Sequence, residues 1–204
     1  MNVEIVNEIK QGFETAYIDG TVVSNLEYKP SFISNNPSDG KKVISSIDEE
    51  LLRCEKFQIS VAFITMGGLT PLLQTLKELE QRQIPGEILT TNYLNFSEPM
   101  ALEKLNQLNN IKIKMYDVES SIDGFHTKGY IFKKSEIYRI ILGSSNITGA
   151  ALTSNIEWNA TASEKNGYAD FMSKEIDEQP TAIRETIGSR INISDFHCEF
   201  SELP

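Results

Sequence analysis

The sequence predicts an α/β fold: a mixed, mostly parallel central sheet with helices on both faces. Two observations carry this. Between Phe57 and Val118, β-branched apolar runs alternate with helical segments in the order β-α-β-α-β, and strands separated by helices pair in parallel through right-handed crossovers. Downstream, two strand-like runs are joined by the polar Lys133-Lys134-Ser135-Glu136, a spacing that suits an antiparallel hairpin.

Taken in order, Val3, Val6, Ile9, Phe13 and Tyr17 recur near helical spacing and predict an amphipathic helix over 3–17. Residues 24–42 carry Pro30, Asn35, Asn36, Pro37, Asp39 and Gly40 and read as a loop. Helical patterning resumes over 43–54. The run FQISVAFIT (57–65) is nearly unbroken and β-branched, as a buried strand is. Thr70-Pro71 reads as an N-cap followed by proline at the first helical position, opening a helix to about Gln81. A strand over 86–93 follows, then Ser97 as the cap of a helix over 100–108, and IKIKMYDV (111–118) alternates with period two. The hairpin strands fall at 127–132 and 138–142, a short helix at 148–154 and a strand at 157–162. The expected organisation is a helix and loop over 1–42 followed by a domain over 43–204, one globular unit overall and without internal repeats.

Composition narrows the function. With 204 residues, 40% hydrophobic and 24% charged, the chain is long enough to bury a core. It lacks a run of about 18 apolar residues, and charges punctuate its N-terminus, so neither a membrane span nor a secretory segment is expected and the cytoplasm is the expected location. Cys54 and Cys198 stand alone without C-x-x-C spacing and read as reduced apolar fillers rather than a disulfide or zinc site. The net charge of −10 argues against electrostatic coating of nucleic acid. That charge is uneven, however. Residues 125–146 carry Lys128, Lys133, Lys134 and Arg139 against Glu136 alone, whereas 164–204 carry nine acids against four bases. The basic stretch suits an anionic ligand, with Lys133 and Lys134 reading as decoration of a turn.

Within that stretch lies the chemistry. On a strand, His126 and Lys128 would face the same side, two residues apart. Gly143-Ser144-Ser145-Asn146 follows the next strand and can present a hydroxyl, a carboxamide and backbone amides, with Ser145 as a spacer; Glu157 lies eleven residues further on. An imidazole, a cation, two neutral donors and a carboxylate together suit a phosphodiester, the histidine attacking to form a phosphohistidine without a metal. Tyr130 and Trp158 read as core residues rather than base-stacking platforms.

His126-x-Lys128, Gly143-Ser144-x-Asn146 and Glu157 resemble the H-K signature of the phospholipase D superfamily, in its endonuclease-like branch. More narrowly, TTNYLNF (90–96), GFHTKGYIF (124–132), ILGSSNITGAAL (141–152) and NIEWN (155–159) resemble the phospholipase-D-like domain at the N-terminus of bacterial superfamily II helicases related to restriction systems. The resemblance spans about residues 45–162 and implies a metal-independent, cofactor-free phosphodiesterase of DNA endonuclease type. It implies His126 as nucleophile or general acid, Lys128, Ser144 and Asn146 as phosphate-binding groups, and Glu157 as support for the histidine. The superfamily pattern has an aspartate five residues after the lysine where this chain has Lys133, and the interval from His126 to Gly143 is about three residues longer. The departure keeps a second reading open, a catalytically silent nucleic-acid-binding or dimerisation module of the same fold; a lipid-acting phosphodiesterase has less support, since no membrane anchor is evident. The superfamily mechanism also uses two histidines, and His197 lacks both a lysine two residues on and a downstream Gly-Ser-x-Asn. A homodimer bringing two copies of His126 together is therefore expected. No Walker A sequence is present, so a helicase motor is expected elsewhere in a longer protein of which this chain is a fragment.

Overall fold

The computed structural model describes residues 3–17, 25, 28–121, 124–165, 191–192 and 197–198. Its contacts fall into two units, Met1–Lys165 and Asn166–Pro204.

In the first unit the N-terminal apolar spacing yields α1 (Val3–Tyr17), which lies against the last strand of the sheet. The stretch read as a loop contains a strand, β1 (Ser31–Ile33). Three residues are too few to show a period; β1 forms because the sheet offers it an edge, where Ser31 pairs with Thr161 and Ile33 with Asn159.

Then come α2 (Val43–Arg53), β2 (Lys56–Val61), a short α3 (Met66–Leu69) running through a 3-10 turn at Thr70–Leu72 into α4 (Leu73–Gln81), β3 (Gly86–Thr91), α5 (Pro99–Asn106) and β4 (Ile111–Tyr116). The chain closes the sheet with β5 (Lys128–Lys134), β6 (Ile137–Gly143), α6 (Gly149–Thr153) and β7 (Asn159–Lys165). Strand order is β1-β7-β6-β5-β2-β3-β4. The mixed α/β class is as expected, with one central sheet flanked by helices. Its parallel part is smaller than expected: β2 pairs with β3, and β3 with β4, in parallel, and the other four pairings are antiparallel. Parallel neighbours need a crossover of a dozen or more residues, whereas the two-residue turn Ser135-Glu136 forces β6 back along β5. Ser135 takes the positive φ of 50° that such a turn uses.

Two helix starts differ from the sequence expectation. Thr70 is not an N-cap: its φ/ψ of −50/−47° is already helical, because the helix begins at Met66. Gly68 permits this, since a Cβ there would sit 2.3 Å from the Ile147 carbonyl carbon. Ser97 does not cap α5 either; Glu98 occupies that place, and the Ser97 hydroxyl is buried beneath it near Thr90 and the Ala62 carbonyl. Thr148 does cap α6, its hydroxyl accepting from Ala151 N–H at 3.3 Å.

The core lies on one face of the sheet. Phe57, Ile59 and Val61 of β2 and Tyr130 and Phe132 of β5 pack against Ile47 and Leu51 of α2, Leu76 and Leu79 of α4, Leu105 of α5 and Leu152 of α6. Burial of each such side chain is worth about 1.5–3 kcal/mol. The chain's alternation explains the asymmetry, because Gln58 and Ser60 point to the other, partly exposed face. Arg139 of β6 is held inside by Glu50 of α2 at 3.2 Å and by Ser163 at 2.6 Å. Among the described residues no helix is long and apolar enough to cross a membrane. In the second unit, β8 (Ile191–Asn192) pairs antiparallel with β9 (His197–Cys198), which places the backbone of His197.

Candidate active site

The topology brings five strand ends to one edge. β2 and β3 finish at Val61 and Thr91, β6 finishes at Gly143, and the antiparallel β5 and β7 begin at Lys128 and Asn159. Val61 is paired with Lys128 and Gly143 with Asn159, so these ends are adjacent. In open α/β sheets this carboxyl edge of the parallel strands is where ligands bind. His126, Lys128, Ser144, Asn146 and Glu157 all belong to segments that meet here.

His126 is exposed and precedes β5 by two residues, so strand alternation does not orient it. Its imidazole instead stands edge-on to the half-buried Phe63, with centroids 6.2 Å apart and planes at 69°. Next to it, Thr127 and Ser60 share a hydroxyl hydrogen bond of 2.7 Å that ties the approach to β5 onto β2.

Lys128 is half-buried, and its Nζ donates to the carbonyl of His126 at 2.9 Å. Burial pulls its pKa below the ordinary lysine value, and the nearby Glu157 charge opposes that shift. Among the described residues no carboxylate lies within ion-pair distance of this ammonium.

The Ser144–Asn146 turn is braced from below. Asn146 Oδ1 accepts the Phe63 N–H at 3.1 Å, which leaves its Nδ2 as the donor end. Ser144 Oγ donates to Glu157 and accepts from the Trp158 N–H at 3.1 Å, while the Ser144 N–H donates to the Trp158 carbonyl at 3.1 Å. Glu157 is 8% exposed. Within the chain its carboxylate receives the Ser144 hydroxyl, not the imidazole of His126.

Several supporting residues escaped the sequence reading. Ser145, read as a spacer, is wholly buried and carries the turn: Tyr130 OH donates to its carbonyl at 2.8 Å, and Asn159 Nδ2 donates to its Oγ at 2.9 Å. Tyr130 is core as expected, but Trp158 is 74% exposed. Asn159 takes the inward position at the start of β7, so alternation turns its neighbour Trp158 outward. Further back, Thr90 and Thr91 both direct hydroxyls to the Ala62 carbonyl, at 3.2 and 3.3 Å, and lock β3 to the end of β2. Each of these braces lies inside one of the motifs TTNYLNF, GFHTKGYIF, ILGSSNITGAAL and NIEWN, but nothing in their spacing tells which partner each would bond.

Lys133 sits five residues along β5 from Lys128, about 17 Å at strand rise, paired with Lys56 and Tyr138 at the far end of the sheet. It does not enter the site. On the exposed sheet face, a trough of about 660 Å³ runs past Lys112 and Lys114 to Ser60, Thr127 and Lys128. Among the described residues no three His, Cys, Asp or Glu side chains converge as metal ligands would.

The family described as "Cardiolipin synthase, PLD-like domain" matches residues 49–178 of this chain. Solved structures of the same fold include NucT from Helicobacter pylori, with a TM-score of 0.53 and 16% identity, covering 79% of this chain and 96% of that one. Nuc from Salmonella typhimurium, a phospholipase D family member, aligns with a TM-score of 0.51 and 16% identity, over 76% and 93% of the two chains. Among curated proteins, a stretch of 37 residues is 62% identical to glutamine–fructose-6-phosphate aminotransferase from Clostridium perfringens. That stretch is 18% of this chain and spans only 6% of the aminotransferase.

Proposed function

Because the chain belongs to the phospholipase-D-like domain family, we propose that it is a metal-independent phosphodiesterase domain of DNA endonuclease type, working in a site shared by two chains. The observation that carries this reading is the half-buried Lys128 ammonium, turned onto the His126 carbonyl at the sheet edge where β6 runs out into the Ser144–Asn146 turn. Among the described residues no carboxylate comes within ion-pair distance of it; a cation so placed is costly unless an anion joins it, and burial already disfavours its charge while Glu157 only partly offsets this. The fold is shared with NucT and with Nuc, a phospholipase D family member, and the trough that leads away from Lys128 past Lys112 and Lys114, with Glu87 as its one acid, suits a charged backbone.

In the proposed reaction the non-bridging phosphate oxygens rest against Lys128 Nζ and Asn146 Nδ2, while Ser144, its one hydroxyl proton given to Glu157, holds that carboxylate beside them. A neutral His126 nitrogen attacks phosphorus; the P–N bond forms as the P–O bond to the leaving ester oxygen breaks. The second chain's imidazolium protonates that oxygen. The now neutral second imidazole takes a proton from water, whose oxygen displaces the histidine nitrogen and regenerates the site. Glu157, anchored by Ser144, supports the charge balance around Lys128. The position of Lys133, remote from these groups, favours the catalytic reading over a silent binding module. The motif resemblance further supports placing the domain beside a restriction-type helicase motor in a longer protein.

The test is incubation of supercoiled and single-stranded DNA with the protein in excess chelator, beside His126→Ala. Cleavage that resists chelator and disappears in the variant is expected. Binding without cleavage favours the silent module, and strict dependence on added magnesium refutes the mechanism. Mixing wild type with excess His126→Ala depletes activity if the site is shared, and leaves it proportional to wild-type chains if it is not.

A further inference from the structure

The TTNYLNF motif reaches beyond the phosphate-binding groups. After Thr91 the chain turns through Tyr93–Asn95, where Leu94 and Asn95 both hold positive φ, 49° and 54°. For a non-glycine residue that region costs about 1–2 kcal/mol. The turn is nevertheless pinned from both sides: Thr91 Oγ1 accepts the Tyr93 N–H at 3.1 Å, and Asn92 bonds Asp117 at 2.6 Å and the Val118 N–H at 3.0 Å. Pinning lifts two rings into solvent, Tyr93 at 43% and Phe96 at 54% exposure. Both touch Phe63, one stacked at 6.4 Å and 20°, the other edge-on at 5.1 Å. Phe63 in turn meets the His126 imidazole. An aromatic surface thus leads outward from the attacking nitrogen in ring-sized steps.

We propose that Tyr93 and Phe96 form a stacking platform for an unpaired base next to the scissile phosphate, which makes single-stranded nucleic acid the preferred substrate. The inference rests on the phosphodiesterase reading and refines its substrate class. A base in a duplex has both faces covered by its neighbours; only a splayed base can lie on these rings. The surroundings also separate this occupant from an anionic membrane. Glu98, Asp117 and Glu119 flank the turn, and they repel anionic headgroups but not a neutral base whose phosphate is held across the crevice at Lys128.

The experiment measures equilibrium binding of a short fluorescent single-stranded oligonucleotide, its duplex, and an abasic strand of equal length, in a His126→Ala background so that cleavage does not consume the probes. Tyr93→Leu and Phe96→Leu keep apolar bulk while removing the aromatic face; Phe96→Trp restores one. Each leucine variant is expected to weaken binding of the normal strand by about 5- to 150-fold, leave the abasic strand unchanged, and recover with tryptophan. Equal loss on the abasic strand, or no loss on either, overturns the proposal. So does a change confined to self-association in light scattering, or to binding of phosphatidylglycerol vesicles. Should wild type bind in this pattern yet never cleave, the stacking platform stands and the phosphodiesterase reading falls.

Discussion

Replacing Tyr130 by phenylalanine isolates the brace beneath the Ser144–Asn146 turn. The ring is 1% exposed and sits between Ile59 of β2 and Ile141 of β6 on the core face, so its packing survives the change. What goes is the 2.8 Å hydrogen bond to the Ser145 carbonyl, in a place where water does not substitute. Leaving a buried acceptor unpaired costs about 1–3 kcal/mol. For a chain of this size each kcal/mol shifts the melting temperature by about 2–4 °C, so a fall of about 2–12 °C is expected. Urea unfolding checks the same quantity through the midpoint at constant slope. The pH dependence is also determined. Burial, and then the Glu157 charge, push the Tyr130 hydroxyl well above the ordinary tyrosine value. The neutral donor is therefore the favoured form in the fold, and its contribution is complete below the unfolded value near 10 and lost only as pH climbs past it. The difference between wild type and Tyr130→Phe is accordingly the same at pH 6 and pH 9. Because the turn presents Ser144 and Asn146, cleavage also falls, by an expected factor of about ten or more. A stability change under about 0.5 kcal/mol, the range of ordinary surface substitutions, refutes the brace.

Three further outcomes follow from neighbouring features. Gly143→Ala places a Cβ 2.3 Å from the Trp158 carbonyl oxygen and 2.6 Å from Asn159 Cα, both backbone; a loss of about 1–3 kcal/mol in urea unfolding is expected, with activity falling as β6 and β7 part beside Ser144. Burial raises the Cys54 thiol to about 11, so the neutral form is favoured in the fold and its stabilising effect is lost only between about pH 9 and 11. In a Cys198→Ser background, an aromatic disulfide reagent at pH 8 should therefore react only after urea unfolding. Lys133→Asp, made at a position about 17 Å from Lys128, should change chelator-resistant cleavage less than twofold; a large gain or loss shows that this end of β5 communicates with the site.

Much of the fold was legible because periodicity is local. The helix over Val3–Tyr17 and the strands around Phe57, Ile88 and Ile113 follow from side chains that repeat at 3.6 or 2 residues. The β5–β6 hairpin follows from a polar interval too short for anything else. The misreadings share one cause, that capping and pairing are decided by distant chain. Thr70 looked like a cap until Gly68 let the preceding turn pack against Ile147, and β1 has no signal apart from the free edge of β7. Trp158 looked like core because it is large and apolar, yet Asn159, required inward by Ser145, sent it to solvent.

By itself the sequence determined which residues are chemically equipped: the only histidine followed at two residues by a lysine, the Gly-Ser-Ser-Asn turn, and the acid at 157. It also determined that the strands carrying them are neighbours. Only the tertiary structure decided how those groups are engaged. Side-chain hydrogen bonds between segments 13 to 83 residues apart assign the Glu157 carboxylate to Ser144 and the Asn146 oxygen to Phe63, and ring contacts put an aromatic surface against His126. Residue type and spacing set what a side chain can donate or accept, but its partner depends on which strand ends the folded sheet brings to the same edge.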